Sequence, residues 1–334
     1  MKRCKICIMP DTFPGITYDS EGVCSMCSNF KDQKQYIPSI ESLRSRLDII
    51  MKESEAKGLK YDALVAYSGG KDSTYLIYVL TQIYRLKVLA LTFDNGFMSE
   101  YSFVNMRNVM NKLNADHMII CPDASIMKKI FIESTCENIY PQHLIKFGSG
   151  ICISCIRMVN NMSLRVAIEK KIPMVMLGNS PGQLIQSESE IIFQDNKIPY
   201  ELRKRLFKPL ADRIGDEVYY YLMLSKEEYK TNPFPYTINA FPLIGYDEGK
   251  IYSTIKDFGW KKPEDVDPNS TNCRLNSLGI IKHKEQYNFH PYDYEMSMLV
   301  RLGIINREEA LKRVEDPEGK AFALAEEVAK KLMP

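Results

Sequence analysis

Ser68-Gly69-Gly70-Lys71-Asp72-Ser73 stands between an apolar run, Asp62–Tyr67, and a segment with Leu76, Val79, Leu80 and Ile83 at helical spacing. A glycine pair between a strand and a helix lets backbone N–H groups come close to phosphate oxygens. The helix N-terminus adds its positive end, and Lys71 with the two serine hydroxyls adds further donors. Open α/β sheets bind ligands at this junction, outside the carboxyl ends of their strands. The loop is not a Walker A sequence, because Lys71 follows the glycine pair at once and an acid comes next. Taken alone, a plain Gly-Gly turn entering a helix remains open. Lys71 is expected to stand exposed on this loop.

The surrounding pattern narrows the fold. Lys87–Phe93, His117–Cys121 and Met174–Gly178 read as further buried strands, with helical stretches at 99–114, 124–138 and 155–171 between them. That alternation predicts a Rossmann-like, doubly wound parallel sheet covered on both faces. Ile40, Leu43, Leu47, Ile50 and Met51 form a helical stripe before it, ended by Gly58. Beyond Gly178, residues 208–225 read as helix, 232–260 resist assignment, and 318–332 is an amphipathic helix. Asn306 and Glu309 form a capping box. The expected organisation is a metal ribbon at 1–37, a linking helix at 38–60, a nucleotide-binding domain at 61–205 and a mainly helical region for substrate or partner at 206–334.

Charge is nearly balanced: 44 basic against 42 acidic residues over 334 positions. Neutralising nucleic-acid phosphates calls for a basic excess, so this balance disfavours nucleic acid as substrate. No uninterrupted apolar run reaches the roughly eighteen residues of a membrane span. The opening Met1-Lys2-Arg3-Cys4 lacks the apolar stretch of a signal peptide. A cytoplasmic location is expected.

Six of the nine cysteines fall in Cys-x-x-Cys pairs. Cys4/Cys7 and Cys24/Cys27 are sixteen residues apart, which is zinc-ribbon spacing, and four thiolates suit a closed tetrahedral Zn²⁺ site. Cys152/Cys155 follows Gly148-Ser149-Gly150, and Cys273 lies far downstream in Ser270-Thr271-Asn272-Cys273-Arg274. If Cys273 folds back, three thiolates meet near the nucleotide edge and could hold a second metal. Zinc there would need a fourth ligand, such as His283 or His290. A reduced core pair and a redox pair are the open alternatives. Cys121 and Cys136 read as small core residues.

The hexapeptide resembles the signature of the PP-loop ATP pyrophosphatases. That resemblance implies that Ser68, Gly69, Gly70, Lys71, Asp72 and Ser73 bind ATP, with a substrate carbonyl oxygen attacking its α-phosphate. It also implies nucleotide contacts from Asp94-Asn95-Gly96 and Gly178-Asn179-Ser180, which follow the second and fourth strands. The opening Arg3-Cys4-Lys5-Ile6-Cys7-Ile8-Met9-Pro10-Asp11-Thr12, with Pro14-Gly15-Ile16 and Gly22-Val23-Cys24, is similar to the N-acetyl sugar amidotransferases. These are PP-loop enzymes of bacterial surface-polysaccharide, including lipopolysaccharide O-antigen, biosynthesis. The resemblance implies conversion of a sugar acetamido group to an acetamidino group on a nucleotide-linked sugar. Lys71, Asp72 and Asp94 would act with Mg²⁺, and ammonia would come from glutaminase and cyclase-like partner subunits. The alternative is a PP-loop transfer-RNA thiolase, a group in which a similar cysteine trio holds a [4Fe–4S] cluster.

Overall fold

The computed structural model describes residues 1–30, 40–184, 188–316 and 318–333. Its sheet comprises β1 (Ala63–Ala66), β2 (Val88–Phe93), β3 (Asp116–Ile120), β4 (Met174–Leu177), β5 (Ile192–Phe193) and β6 (Tyr236–Asn239). Their spatial order is β3-β2-β1-β4-β6-β5. The pairings from β3 through β6 are parallel, and β5 closes one edge antiparallel to β6. The chain runs from β1 to β2 to β3 on one side and then crosses to β4 on the other. A crevice therefore opens outside the carboxyl ends of β1 and β4.

Helices of eight or more residues among the described residues are α1 (Ile40–Ala56), α2 (Lys71–Tyr78), α3 (Glu100–Leu113), α4 (Ala124–Glu133), α5 (Gly150–Glu169), α6 (Tyr200–Ile214), α7 (Glu248–Asp257), α8 (Leu275–Tyr287), α9 (Asp293–Arg301), α10 (Arg307–Glu315) and α11 (Lys320–Leu332). Successive strand side chains alternate between the two faces. Ala63, Val65, Val88, Ala90, Met174 and Met176 pack with Leu47 of α1, Leu76 of α2, Val109 of α3 and Ile251 of α7. Leu64, Leu89, Leu91, Val175 and Leu177 pack with Leu164, Val166 and Ala167 of α5. The sheet is doubly wound, as the alternating pattern predicts.

By length and composition α5 could cross a membrane, and it is the one described helix that could. Here it covers a sheet face, which accounts for its apolar character.

Several readings change. The helix expected from 155 starts at Gly150, capped by the Ser149 side chain, so Cys152 and Cys155 both lie on α5. The stretch 208–225 is not one helix: α6 ends at Gly215, whose φ of 124° suits glycine, and a short helix follows at Val218–Leu222. Cys121 is exposed rather than buried, because β3 is an edge strand, and Cys136 is only partly buried. Tyr236–Asn239, within the unassigned stretch, supplies β6 from beyond residue 205.

The N-terminal ribbon docks on the C-terminal helices. Ile8 packs with Met296, Leu299, Ile305, Ala310 and Val314. Phe13 lies 5.1 Å from Phe289 and 6.4 Å from Tyr294 between ring centroids. Arg3 Nη1 donates to Asp293 Oδ1 at 2.6 Å, and the aspartate side chain is fully buried. Arg307 Nε donates to the carbonyls of Cys4 and Cys7. The ribbon thus fixes α9, which also walls the crevice.

Candidate active site and metal sites

The phosphate loop leaves β1 through a left-handed residue, Gly69, at φ 73°. A Cβ there would meet Met106 Cε at 2.7 Å, and one on Gly70 would meet Thr271 Oγ1 at 2.8 Å. The left-handed backbone favours glycine at 69, and the close approach of Thr271 favours it at 70. Trp260 Nε1 donates to the Gly69 carbonyl at 2.9 Å, and the Lys71 amide donates to Thr271 Oγ1 at 3.3 Å. The Ser68 and Ser73 hydroxyls lie 3.2 Å apart across the turn. Gly178 abuts the start of α2, where a Cβ would stand 3.1 Å from the Ser73 nitrogen. The loops after β1 and β4 are in contact at the crevice.

Lys71 is not the exposed residue the sequence led us to expect: it is 8% accessible. Its ammonium donates to Asp72 at 2.8 Å and to the Tyr246 hydroxyl at 2.7 Å, and it lies 3.2 Å from Glu248 Oε1. Arg313 in turn pairs with Glu248 at 2.6 Å. Burial works against charge on Lys71, yet Asp72, Tyr246 and Glu248 together hold its pKa above the usual value. Burial raises the Asp72 carboxyl despite the lysine. Burial also works to raise Glu248, but Arg313 and Lys71 outweigh it and leave its pKa low.

A cavity of about 1200 Å³ extends from this loop. That exceeds the roughly 300–1,000 Å³ of a typical single-ligand pocket, which leaves room for a nucleotide and a second substrate. Its walls include Ser68, Gly70, Lys71, Asp72 and Ser73, together with Gly178 and Asn179. Asn95, not Asp94, faces it after β2; the Asp94 side chain accepts from the Gly96 amide at 2.9 Å and closes its own turn. Tyr246, Glu248, Glu295 and Arg313 complete the wall near the loop. No sequence motif marks these four, which come from segments far apart in the chain.

Cys152, Cys155 and Cys273 line the same cavity. Cys273 is brought there by a bridge to Met98. Asn95 Nδ2 donates to Cys155 Sγ at 3.4 Å and to Cys273 Sγ at 3.6 Å, and the Cys152 thiol donates to Asn276 Oδ1 at 3.2 Å. Burial raises all three thiols, Cys152 to about 12. His283 and His290 do not line the cavity; burial lowers His283 to about 4, as befits a neutral ring packed on Tyr287 and Phe289.

The ribbon cysteines differ in spacing. The sulfurs of Cys4, Cys7, Cys24 and Cys27 all lie within 4.8 Å of one another, the one such group of three or more among the described residues. Cys4–Cys27 and Cys7–Cys24 are 3.8 and 3.7 Å apart. Four thiolates at about 2.3 Å from one tetrahedral ion stand about 3.8 Å apart, so the four sulfurs fit a single ion. Amides of Met9 and Cys24 and the Arg301 guanidinium donate to these sulfurs, offsetting thiolate charge. The cavity trio is more widely spaced than that.

No family model matches the chain. An uncharacterized protein of Methanocaldococcus jannaschii is 24% identical over 319 residues, covering 95% of this chain and 94% of that protein. Among solved structures, the U34-tRNA thiolase NcsA from Methanococcus maripaludis with its [4Fe–4S] cluster aligns with a TM-score of 0.37 and 14% identity, over 99% of this chain and 88% of that one. An NH3-dependent NAD synthetase from Campylobacter jejuni aligns at 0.34 and 13%, over 85% and 96%. The NMN synthetase from Francisella tularensis aligns at 0.30 and 15%, over 75% and 94%. Likeness of this degree carries no functional argument.

Proposed function

We propose that the chain is an ATP-dependent, AMP- and pyrophosphate-forming amidotransferase that converts an acetamido group of a nucleotide-linked sugar to an acetamidino group, in bacterial surface-polysaccharide biosynthesis in the cytoplasm. The observation that carries the reading is the cavity of about 1200 Å³ at the phosphate loop, more room than a single ligand needs. The opening sequence of the ribbon supplies the sugar-amide specificity of the proposal.

Amide oxygen is a poor leaving group, so it must be activated. The loop amides and Lys71 hold the β- and γ-phosphates, and the amide oxygen attacks the α-phosphorus as pyrophosphate departs. Ammonia adds to the activated carbon, and AMP leaves with the former amide oxygen. Asp72 and Glu248 converge on the Lys71 ammonium, at 2.8 and 3.2 Å, and hold it at the loop; Mg²⁺, when bound with ATP, would supply further neutralisation of phosphate charge. Zn²⁺ is the ion proposed for the ribbon thiolates, in a structural role. Glutaminase and cyclase-like subunits are the proposed ammonia source.

A second reading is favoured by one observation. Cys152, Cys155 and Cys273 line the ATP cavity together without forming a compact single-ion group like that of the ribbon. As thiolates they would hold a [4Fe–4S] cluster, as expected of a transfer-RNA thiolase.

One assay separates the two. The isolated chain is given ATP with ammonium or glutamine and a panel of nucleotide-linked acetamido sugars, or with sulfide and transfer RNA, and products are read by mass spectrometry. Sugar in which oxygen is replaced by NH, formed with ammonium but not glutamine and increasing with pH as more NH₃ is present, is the expected result. Thiolated RNA from an anaerobic preparation absorbing near 400 nm (roughly, for cysteine-ligated iron–sulfur clusters) supports the second reading instead.

A further inference from the structure

Glu295 is an ionisable group in the cavity wall that neither the Lys71 cluster nor the cysteines engage. It projects from α9, which the ribbon anchors through Arg3–Asp293 and through Ile8 against Met296 and Leu299. Facing it is the turn Pro181–Gln183 after β4. A Cβ on Gly182 would stand 2.7 Å from the Glu295 carbonyl, so only glycine lets the turn close on α9. That closure brings the Ser180 hydroxyl to donate to Glu295 Oε1 at 2.5 Å.

The charged and titratable groups facing Glu295 are Lys71 and Asp72 from α2, Arg313 from α10 and Tyr292 just before α9. Among the described residues none is within ion-pair distance of it. Burial, partly offset by Ser180 and Lys71, lifts its carboxyl to about 7. An enclosed acid without a cationic partner costs stability, so packing alone gives no reason for it.

We infer that Glu295, held by Ser180, is the general base that accepts the proton from the substrate amide nitrogen during adenylation. This inference rests on the amidotransferase reading. As the amide oxygen bonds to the α-phosphorus, the N–H bond breaks and its proton passes to the Glu295 carboxylate. The N–H electron pair forms C=N, the carbonyl π pair forms the O–P bond, and the bond from phosphorus to pyrophosphate breaks with its pair on pyrophosphate. The product is an O-adenylyl imidate whose imidate nitrogen is uncharged. Ammonia then brings three hydrogens, AMP leaves as an anion, and the amidinium forms without further proton loss. Glu295 returns its proton to water before the next turnover.

The test measures sugar-dependent pyrophosphate formation from pH 5.5 to 9 for wild type and for Glu295→Gln, Glu295→Asp and Ser180→Ala. Wild type should lose rate about tenfold per pH unit below an inflection near 7. Glu295→Gln should be about 10²–10⁴-fold slower and lack that limb, with affinity for a non-hydrolysable ATP analogue within about threefold. Glu295→Asp should keep the limb at a lower rate. Ser180→Ala removes a hydrogen bond to the charged carboxylate and should move the limb to higher pH, a shift that a purely structural role would not give. A Glu295→Gln enzyme with wild-type rate and limb overturns the inference, as does loss of rate that follows loss of nucleotide affinity. Failure of the amide reading shows differently, as no sugar-dependent pyrophosphate from wild type at any pH. That result removes the amide whose proton Glu295 is to accept, and overturns the inference together with the reading.

Discussion

Replacing Lys71 with methionine should lower pyrophosphate formation by about 10²–10³-fold, the effect of removing one preorganised donor from a developing negative charge. Methionine keeps most of the buried volume but removes the ammonium that separates Asp72 from Glu248. Stability should therefore fall as well, toward the few kcal/mol seen when one partner of a buried charge cluster is lost (about 3–5 kcal/mol at full burial). The exposure of the Asp72 side chain, 24%, reduces that figure. The destabilisation has a definite pH sign. Burial already raises the Asp72 carboxyl, and without Lys71 it rises further above its unfolded value, so the folded state binds more protons than the unfolded one. The penalty is then largest at alkaline pH and shrinks as the pH falls through the folded pKa. Urea melts at pH 5.5 and 8, run beside the activity assay, separate the two effects. Wild-type pyrophosphate release in this variant would remove the loop from the mechanism.

Cys24→Ser should release the ribbon's ion and loosen residues 1–30. Structural zinc in such small motifs contributes on the order of 10–16 kcal/mol of binding at neutral pH, and a segment this short has little core to replace it. The consequences extend beyond the ribbon, because Ile8, Phe13 and Arg3 are among the contacts that hold α9. Activity should therefore fall together with zinc content even though no ribbon cysteine lines the cavity. Metal analysis should give one zinc per wild-type chain and none in the variant, with faster cleavage of the first 30 residues in limited proteolysis. A zinc-free wild type, or a variant that remains protease-resistant, would contradict this account.

The parts of the fold visible in the sequence are those governed by local rules. β1, β2, β3 and β4 are short runs rich in apolar residues, and the glycine pair between β1 and α2 marks its own turn. The ribbon cysteines declare themselves by spacing. β6 is hidden because Tyr-Thr-Ile-Asn has little apolar signal and sits among prolines; its strand state comes from pairing with β4. Glu248, Tyr246 and Glu295 carry no motif, and only tertiary packing brings them to Lys71 or Ser180. Gly182, in a Ser-Pro-Gly-Gln turn, was the one available hint of a close approach near Glu295. Asp94 and Asn95 are neighbours in one motif, and their division of labour depends on side-chain direction, which spacing does not encode.

In the proposed reaction, ATP bound on Ser68–Ser73 activates an oxygen of the second substrate. Labelling the acetamido oxygen of the sugar with ¹⁸O and running the reaction to completion with ammonium tests it directly. One labelled oxygen in each AMP formed, and none in pyrophosphate or in the amidine product, is the expected result. Unlabelled AMP, or ADP and phosphate in place of AMP and pyrophosphate, would contradict it.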